Sequence, residues 1–231
     1  MSTLSIVIGD HYYTKDPQSS DLGKQIIVGS IALLDKIGFE EFTFKKLAEQ
    51  ISSTEASIYR YFENKHKLLV YLTTWYWSWV DYAIDYKTHF IKNSKDKLSE
   101  ILKIICHLDV DAIVINVPGI DVPSLRRVVV IEADKTYLTK NVDEINNQGL
   151  YKAFKGLCHK IALVIQELDG TFKYPHSIVS TIIEVTHQQA FFAQHLPSLT
   201  EIKKEADKSI EMQVYDFLME LVNRLLINTQ K

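Results

Sequence analysis

The sequence predicts an all-α protein, and three observations support that fold class. Its 231 residues include only eight glycines and five prolines, so few positions interrupt long helices. Hydrophobic residues make up 46% of the chain, which is enough to bury a sizeable core. In the longest apolar segments they recur at intervals of three and four residues, which is the spacing of one face of a helix.

The first two predicted helices are marked by capping residues. The first covers residues 21–37, with Asp21 as its expected N-cap and Gly38 as its expected end. A second helix follows Thr43, whose hydroxyl suits the N-cap position.

A polar turn and two further helices come next. Residues 52–54, "SST", break the second helix because their side chains bond their own backbone. A short third helix is expected to run to about Phe62. Asn64 is the expected cap of a fourth, much longer helix from Lys65 to about His89.

Proline and glycine divide the rest of the chain into five more predicted helices. Their expected ranges are 96–116, 122–138, 141–168, 175–196 and 200–228. The predicted domains are an N-terminal arm at 1–20, either disordered in part or laid across the body, a helix-turn-helix domain at 21–66, and a helical domain at 67–231.

The third helix has two faces of different chemistry. At about 100° per residue, Ile58 and Phe62 point towards a common core. Arg60 points away from that core, and Ser57 and Tyr59 project to either side of it. Small, hydroxylated, aromatic and cationic side chains suit the DNA major groove. The alternative is a solvated helix whose Tyr59 packs on the neighbouring long helix. The preceding helix and turn complete a helix-turn-helix arrangement, which favours DNA.

Three groups of residues occur in the order and spacing of a known family. They are Gly38-Phe39, the "TF..LA" of residues 43–48 and the "SIYRYF.NK..LL" of residues 57–69. In these the chain resembles the TetR family of bacterial transcriptional regulators. The resemblance implies three DNA-binding helices, a long connecting helix, and a helical domain that binds an effector and dimerises. It further implies a ligand-responsive regulator, usually a repressor, that binds a palindromic operator.

The resemblance also implies which side chains face double-stranded DNA. Thr43 would donate to a phosphate, Lys65 would hold another, and Tyr61 would lie at the groove edge or brace the helix. The full expected set is Thr43, Lys45, Thr54, Glu55, Ser57, Tyr59, Arg60, Tyr61 and Lys65.

Two features depart from the family pattern. Ser52 and Ser53 replace the usual glycine and aliphatic residue of the turn, and a serine in the left-handed region costs about 1 kcal/mol relative to glycine. Residues 1–90 hold nine Lys and Arg against eleven Asp and Glu, although residues 43–70 hold five against three. Because phosphate contacts supply most non-specific affinity, the alternative function is a small-molecule or lipid-binding protein of this fold that no longer reads DNA.

Aromatic residues crowd the predicted fourth helix in "YLTTWYWSWVDYAIDY", residues 71–86. They surround the helix, which indicates contacts on most sides. The resemblance implies that this helix lines an effector cavity, and its rings favour a small apolar or aromatic effector; core packing is the alternative explanation. The candidate lining residues are Trp75, Trp79, Tyr82, His107, Tyr137, Phe154, Cys158, His187 and Phe191.

The last two predicted helices are apolar on wide faces, as half of a four-helix dimer interface would be. A monomer can bury the same residues internally, and the resemblance favours the homodimer. The residues expected at this interface are Ile178, Ile182, Phe192, Leu196, Phe217, Leu218, Leu221 and Leu225.

Other function classes find little support in the sequence. Cys106 and Cys158 lie in apolar segments without a C-x-x-C spacing, so neither a zinc site nor a disulfide is predicted. The E-x-x-H spacings at 63–66 and 184–187 would suit a di-iron bundle only with two further inward glutamates. No phosphate-binding or dinucleotide-binding glycine pattern occurs. We therefore expect no enzyme activity, no cofactor and no metal.

The sequence also predicts the compartment. The N-terminus lacks the basic and apolar regions of a signal peptide, and no segment approaches the roughly 18 apolar residues that span a membrane. These features, together with the absence of a predicted disulfide, indicate a cytoplasmic protein without a membrane partner.

Overall fold

The computed structural model describes residues 6, 8–108 and 119–226, and within these ranges it is helical and contains no strand. The all-α prediction is therefore confirmed. None of the described helices has both the length and the apolar composition needed to cross a membrane. The helices are α1 Asp21–Glu41, α2 Phe44–Gln50, α3 Glu55–Tyr59, α4 Lys65–Thr88, α5 Ser94–Ile105, α6 Val122–Glu132, α7 Asp134–Tyr137, α8 Val142–Asn147, α9 Lys152–Leu168, α10 Pro175–His195 and α11 Ile210–Leu226.

Residue contacts divide the chain into two units. The first comprises the described parts of 1–79 and 115–154, and thus contains α1–α3, most of α4, and α6–α8. The second comprises those of 80–114 and 155–231, with the end of α4, α5 and α9–α11. Three helices that follow α5 in the sequence thus lie with the N-terminal helices, whereas the sequence placed them in the second domain.

The start of α1 differs from the prediction by one residue. The hydroxyl of Ser20, not the carboxylate of Asp21, accepts the N–H of Gly23 at 3.2 Å, so Ser20 is the N-cap. Gly38 interrupts the helix where its end was predicted, because its φ of 72° is available to glycine at little cost.

The described part of the N-terminal arm lies across the first unit. The Tyr12 hydroxyl donates to the Leu150 carbonyl at 2.7 Å, and the Thr14 N–H donates to the Tyr61 carbonyl at 2.8 Å. Tyr12 is buried. Of the two arrangements expected for the arm, this part takes the packed one.

Two predicted helices of the second half are each broken in two. The predicted 122–138 helix is divided at Ala133 into α6 and α7, and the predicted 141–168 helix is divided into α8 and α9. Gly149 lies in the second break with a φ of 80°, and the Leu150 N–H closes α8 on the Ile145 carbonyl at 3.3 Å. A left-handed glycine ends a helix in this way.

α5 ends before the predicted residue 116. His107 takes a φ of 60°, and the Leu108 N–H bonds the Lys103 carbonyl at 2.8 Å, which closes the helix. The prediction for residues 109–116 falls outside the described residues.

α11 begins ten residues later than predicted because a side chain holds the preceding segment in a loop. The Gln213 amide accepts from the Lys203 N–H at 3.1 Å and donates to the Lys203 carbonyl at 2.6 Å. Backbone groups satisfied by a side chain do not require a helix.

The second unit buries part of the apolar surface that was expected to meet a second copy. Ile178, Ile182 and Leu218 are buried within the second unit. These three residues therefore belong to its core and not to the dimer interface at which they were expected. Lys160 of α9 also ties α9 to the end of α4, with its ammonium 2.6 Å from the Asp81 carboxylate.

Candidate nucleic-acid interface

The turn between α2 and α3 fixes the position of the third helix. Ser52 adopts a φ of 54°, the left-handed conformation expected at the family's glycine position. The Ser53 N–H then bonds the Ala48 carbonyl at 2.9 Å, which terminates α2. Thr54 caps α3, since its Oγ1 lies 3.2 Å from the Ser57 nitrogen.

The third helix was predicted to run to about Phe62, but α3 ends at Tyr59, because the Tyr61 N–H bonds the Ile58 carbonyl three residues earlier at 2.9 Å and so forms a turn. The two predicted faces are present in α3 together with this turn. Ile58 and Phe62 are completely buried. Tyr59 is 50% exposed and rests its ring edge-on against Phe44 of α2, with centroids 4.9 Å apart. Arg60 is exposed beside it. An aromatic and a cationic side chain therefore project from a helix whose other side is anchored in a core.

The other expected contacts surround this face. Lys45, Glu55, Thr43 and Thr54 are exposed, and Ser57 is half-buried. Thr43 uses its Oγ1 to cap α2, 3.2 Å from the Lys46 nitrogen. All of these side chains except Ser57 are thus exposed, and all lie at or near the starts of α2 and α3.

Tyr61 braces the helix and does not face outward. It is 3% exposed, and its hydroxyl lies 2.8 Å from the Ser20 hydroxyl at the start of α1. Of the two roles expected for Tyr61, the structure supports bracing.

Lys65 has partners other than the expected phosphate. Its ammonium lies 2.9 Å from the Phe39 carbonyl, 3.2 Å from that of Glu40 and 3.1 Å from that of Phe42. All three ammonium protons are thus used where α1 ends, and the cation also lies 4.6 Å from the centroid of the Phe39 ring. We therefore correct Lys65 from a phosphate contact to a cap on the end of α1.

Glu132 was missed by the sequence analysis. It is 4% exposed, and its Oε1 accepts the Phe39 N–H at 2.9 Å. Its Oε2 lies 2.6 Å from the ammonium of Lys135, which also reaches Glu40 at 3.1 Å. The sequence held a signal for it, because Glu132 occupies the buried stripe of α6 that contains Leu125. An acid on an apolar stripe indicates a buried partner.

A second contact joins α6 to α1. The Arg127 guanidinium forms a two-pronged ion pair with Asp35, with N–O distances of 2.8 and 2.6 Å. Hydrogen bonding to Arg127 lowers the pKa of the Asp35 carboxyl. α6 therefore contacts α1 at two residues, Asp35 and Phe39.

The candidate effector residues are divided between the units. Trp75 and Trp79 are buried at 1% and 2% exposure, and both belong to the first unit. In that unit Phe154 packs on Trp77, with ring centroids 4.8 Å apart, and Tyr137 is half-buried. The candidates in the second unit are Tyr82, His107, Cys158, His187 and Phe191.

Residues 26–72 match the family model described as bacterial regulatory proteins, tetR family. The chain carries the N-terminal domain of the tetR family. The match begins in α1 and ends in α4, and so includes both faces of α3. It does not include the arm, nor the Arg127 and Glu132 of α6 that hold the tetR-family domain from outside the matched residues.

Three solved structures extend the similarity beyond the tetR-family domain. The fatty acid degradation regulator FadR from Bacillus halodurans is 14% identical, with a TM-score of 0.59 over 94% of this chain and 96% of FadR. AibR in complex with isovaleryl coenzyme A and operator DNA is 12% identical, with a TM-score of 0.56 over 88% and 98%. A protein from Shewanella sp. PV-4 assigned to the tetR-family transcription regulators is 15% identical, with a TM-score of 0.58 over 86% and 96%. At these identities the likeness establishes the fold of tetR-family regulators.

A comparison with curated proteins by sequence gives no match. The helix-turn-helix and the fold are therefore assigned from the family model and from the solved structures.

Proposed function

We propose that this protein is a ligand-responsive transcriptional repressor that binds a palindromic operator as a dimer. The observation that carries the proposal is the outer face of α3 and the turn after it, where half-exposed Tyr59 and exposed Arg60 project outward while Ile58 and Phe62 are buried. A planar guanidinium suits bidentate donation to guanine, and a tyrosine hydroxyl suits a phosphate oxygen. The expected contacts retained are Thr43, Lys45, Thr54, Glu55, Ser57, Tyr59 and Arg60.

In this proposal the effector acts on the DNA through α1. α1 is held at its end by Lys65 of α4 and by Glu132 of α6, so a shift of either helix moves the reading unit. An effector that favours one arrangement of these helices changes operator affinity only to the extent that it binds the two arrangements unequally.

The proposed effector is a small apolar or aromatic compound, because the candidate lining residues are mainly aromatic. AibR was solved with isovaleryl coenzyme A, and FadR is a fatty acid degradation regulator. Short acyl thioesters and free fatty acids are therefore suitable first compounds for a screen that measures release of bound DNA.

Support for a dimer comes from apolar residues that remain exposed on the C-terminal helices. Phe217 and Leu225 of α11 are 43% and 41% exposed, and Leu221 lies between them at the same four-residue interval. Leu196, next to α10, is 45% exposed. Phe217 and Leu225, with half-buried Leu221 between them, form the exposed apolar stripe of α11. A second copy that covered this stripe would remove its apolar surface from water and present two α3 helices to successive half-sites.

The test is binding of the purified protein to DNA from upstream of its own gene. Arg60→Ala and Tyr59→Ala should each weaken binding by about 1–3 kcal/mol, as expected for loss of a base or phosphate contact. Arg224→Ala removes the same charge from α11, where Arg224 forms an ion pair with Glu220 of its own helix, and should leave binding unchanged. Equal effects of Arg60→Ala and Arg224→Ala would contradict the assignment of α3.

A salt titration distinguishes this proposal from the DNA-independent alternative. A linear loss of log affinity with log salt indicates phosphate contacts. No binding even at low salt would instead favour the small-molecule or lipid-binding protein of the same fold.

A further inference from the structure

Two histidines from different helices meet on the surface of the second unit. His159 lies in α9, and His176 lies in the first turn of α10. Their rings are stacked at 16° with centroids 5.4 Å apart, and Nδ1 of His159 lies 3.2 Å from Nε2 of His176. Both side chains are exposed, so neither imidazole serves to fill a core.

The distance between the two ring nitrogens matches that of two ligands on one metal ion. With metal–nitrogen bonds of about 2.0–2.1 Å, ligand atoms lie about 2.9 Å apart at a right angle and about 3.4 Å apart at the tetrahedral angle. The observed 3.2 Å falls between these values. We propose that His159 and His176 form a binding site for a divalent transition-metal ion on the surface of the second unit.

The protonation of the two rings is compatible with such an ion. At 3.2 Å one ring donates an N–H and the other accepts it through a lone pair. A metal ion replaces that hydrogen bond when His159 keeps its proton on Nε2 and His176 keeps its proton on Nδ1, so that both facing nitrogens offer lone pairs. Neutral imidazole suits Zn²⁺, Ni²⁺ and Cu²⁺, and the usual order of stability predicts the tightest binding for Cu²⁺.

The site is open, with two protein ligands. Among the described residues no group of three or more His, Cys, Asp and Glu is arranged to hold a metal ion. An ion bound by these two histidines would complete its coordination with water, so its binding would be exchangeable and not that of a permanent structural metal. A bound ion would join α9 to the start of α10 and stabilise the native state, with a stabilisation that rises with the logarithm of the ion concentration above Kd.

The test is calorimetric titration of the untagged full-length chain with Cu²⁺, Ni²⁺ and Zn²⁺. We expect one ion per chain, and loss of that ion in both His159→Gln and His176→Gln. His89→Gln is the matched control, because His89 is also exposed and contacts the ring of Phe90. Wild-type binding in His89→Gln and none in the other two variants would support the site.

Thermal melting provides a second measurement that does not depend on the heat of binding. Each ion that binds should raise the melting temperature of the wild type and of His89→Gln, but not that of His159→Gln or His176→Gln. An ion that binds the wild type and both variants alike would place the metal elsewhere and overturn the proposal. Failure of all three ions to bind the wild type would overturn it as well.

Discussion

Single residues set the geometry of the reading face, and Ser52 is the clearest case. Its φ of 54° lies in the region that glycine enters without steric cost, whereas a side chain meets the backbone there. The turn nevertheless forms, because the Ser53 N–H and the Ala48 carbonyl still close α2 at 2.9 Å. Serine in place of glycine at position 52 thus lowers the stability of the protein but does not prevent the turn from forming.

We expect Ser52→Gly to stabilise the protein by about 1 kcal/mol, since it removes the left-handed strain of a side chain. Urea unfolding of the full chain measures the change. Ser53→Gly is the matched control, because Ser53 does not have a positive φ. This substitution removes no strain and only increases the conformational entropy of the unfolded chain, so it should not stabilise the protein. Stabilisation of the same size in both variants would show that the strain at Ser52 is not the cause.

Cys158, a candidate effector contact, should be a slow nucleophile. Burial, with a smaller contribution from Glu184, raises the pKa of its thiol to about 11. At pH 8 the folded protein should therefore react with iodoacetamide about two orders of magnitude more slowly than the chain in guanidinium, where the pKa returns to its ordinary value. The measurement uses Cys106→Ala, which leaves Cys158 as the single thiol. Equal rates in the folded and unfolded chain would contradict the raised pKa.

At the scale of the helices, the end of α1 is held from two directions. Lys65 of α4 donates to the carbonyls of Phe39, Glu40 and Phe42, and Glu132 of α6 accepts the Phe39 N–H. A cation thus satisfies the carbonyls where α1 ends, and a buried anion satisfies an amide of the same short segment. This cluster stabilises the join between α1 and the turn to α2.

We expect Glu132→Ala to lower the free energy of unfolding by about 1–3 kcal/mol, because it leaves the Phe39 N–H and the Lys135 ammonium without their buried acceptor. Glu132→Gln keeps an acceptor oxygen and should cost less. Glu40→Ala removes the exposed partner of Lys135 and should cost under about 1 kcal/mol. Urea unfolding of the three variants gives the order, and equal losses for Glu132→Ala and Glu40→Ala would contradict the role of Glu132.

The sequence predicts the helices of the first unit well where the signals are local. Thr43 and Gly38 mark the start of α2 and the interruption of α1 through their own side chain and backbone, which is information carried within a few residues. The position of α6 depends instead on Arg127 reaching Asp35, 92 residues away. The spacing of apolar residues within α6 gives no indication that Arg127 pairs with Asp35. The phosphate role expected for Lys65 failed for the same reason, since its partners lie 23 to 26 residues earlier in the chain.

At the scale of the whole molecule, the proposed function requires two copies. The net charge of the chain is -3, so a single reading head gains little from long-range attraction to DNA. Joining two heads makes the second binding event intramolecular, which raises affinity by roughly 10²- to 10⁴-fold without a new contact. Dimerisation would therefore compensate for the weak electrostatic attraction between DNA and the first 90 residues.

Phe217→Asp tests this requirement, because it places a charge in the exposed apolar stripe of α11. We expect the sedimentation mass to fall from that of a dimer to that of one chain, and operator affinity to fall by about 100-fold or more as the two heads separate. Leu163→Asp is the matched control, since Leu163 of α9 is 45% exposed, close to the 43% of Phe217, but lies outside the stripe. It should leave both mass and affinity unchanged. If Phe217→Asp remains a dimer, the second copy does not bind at this stripe, and the proposed interface is wrong even if α3 reads DNA.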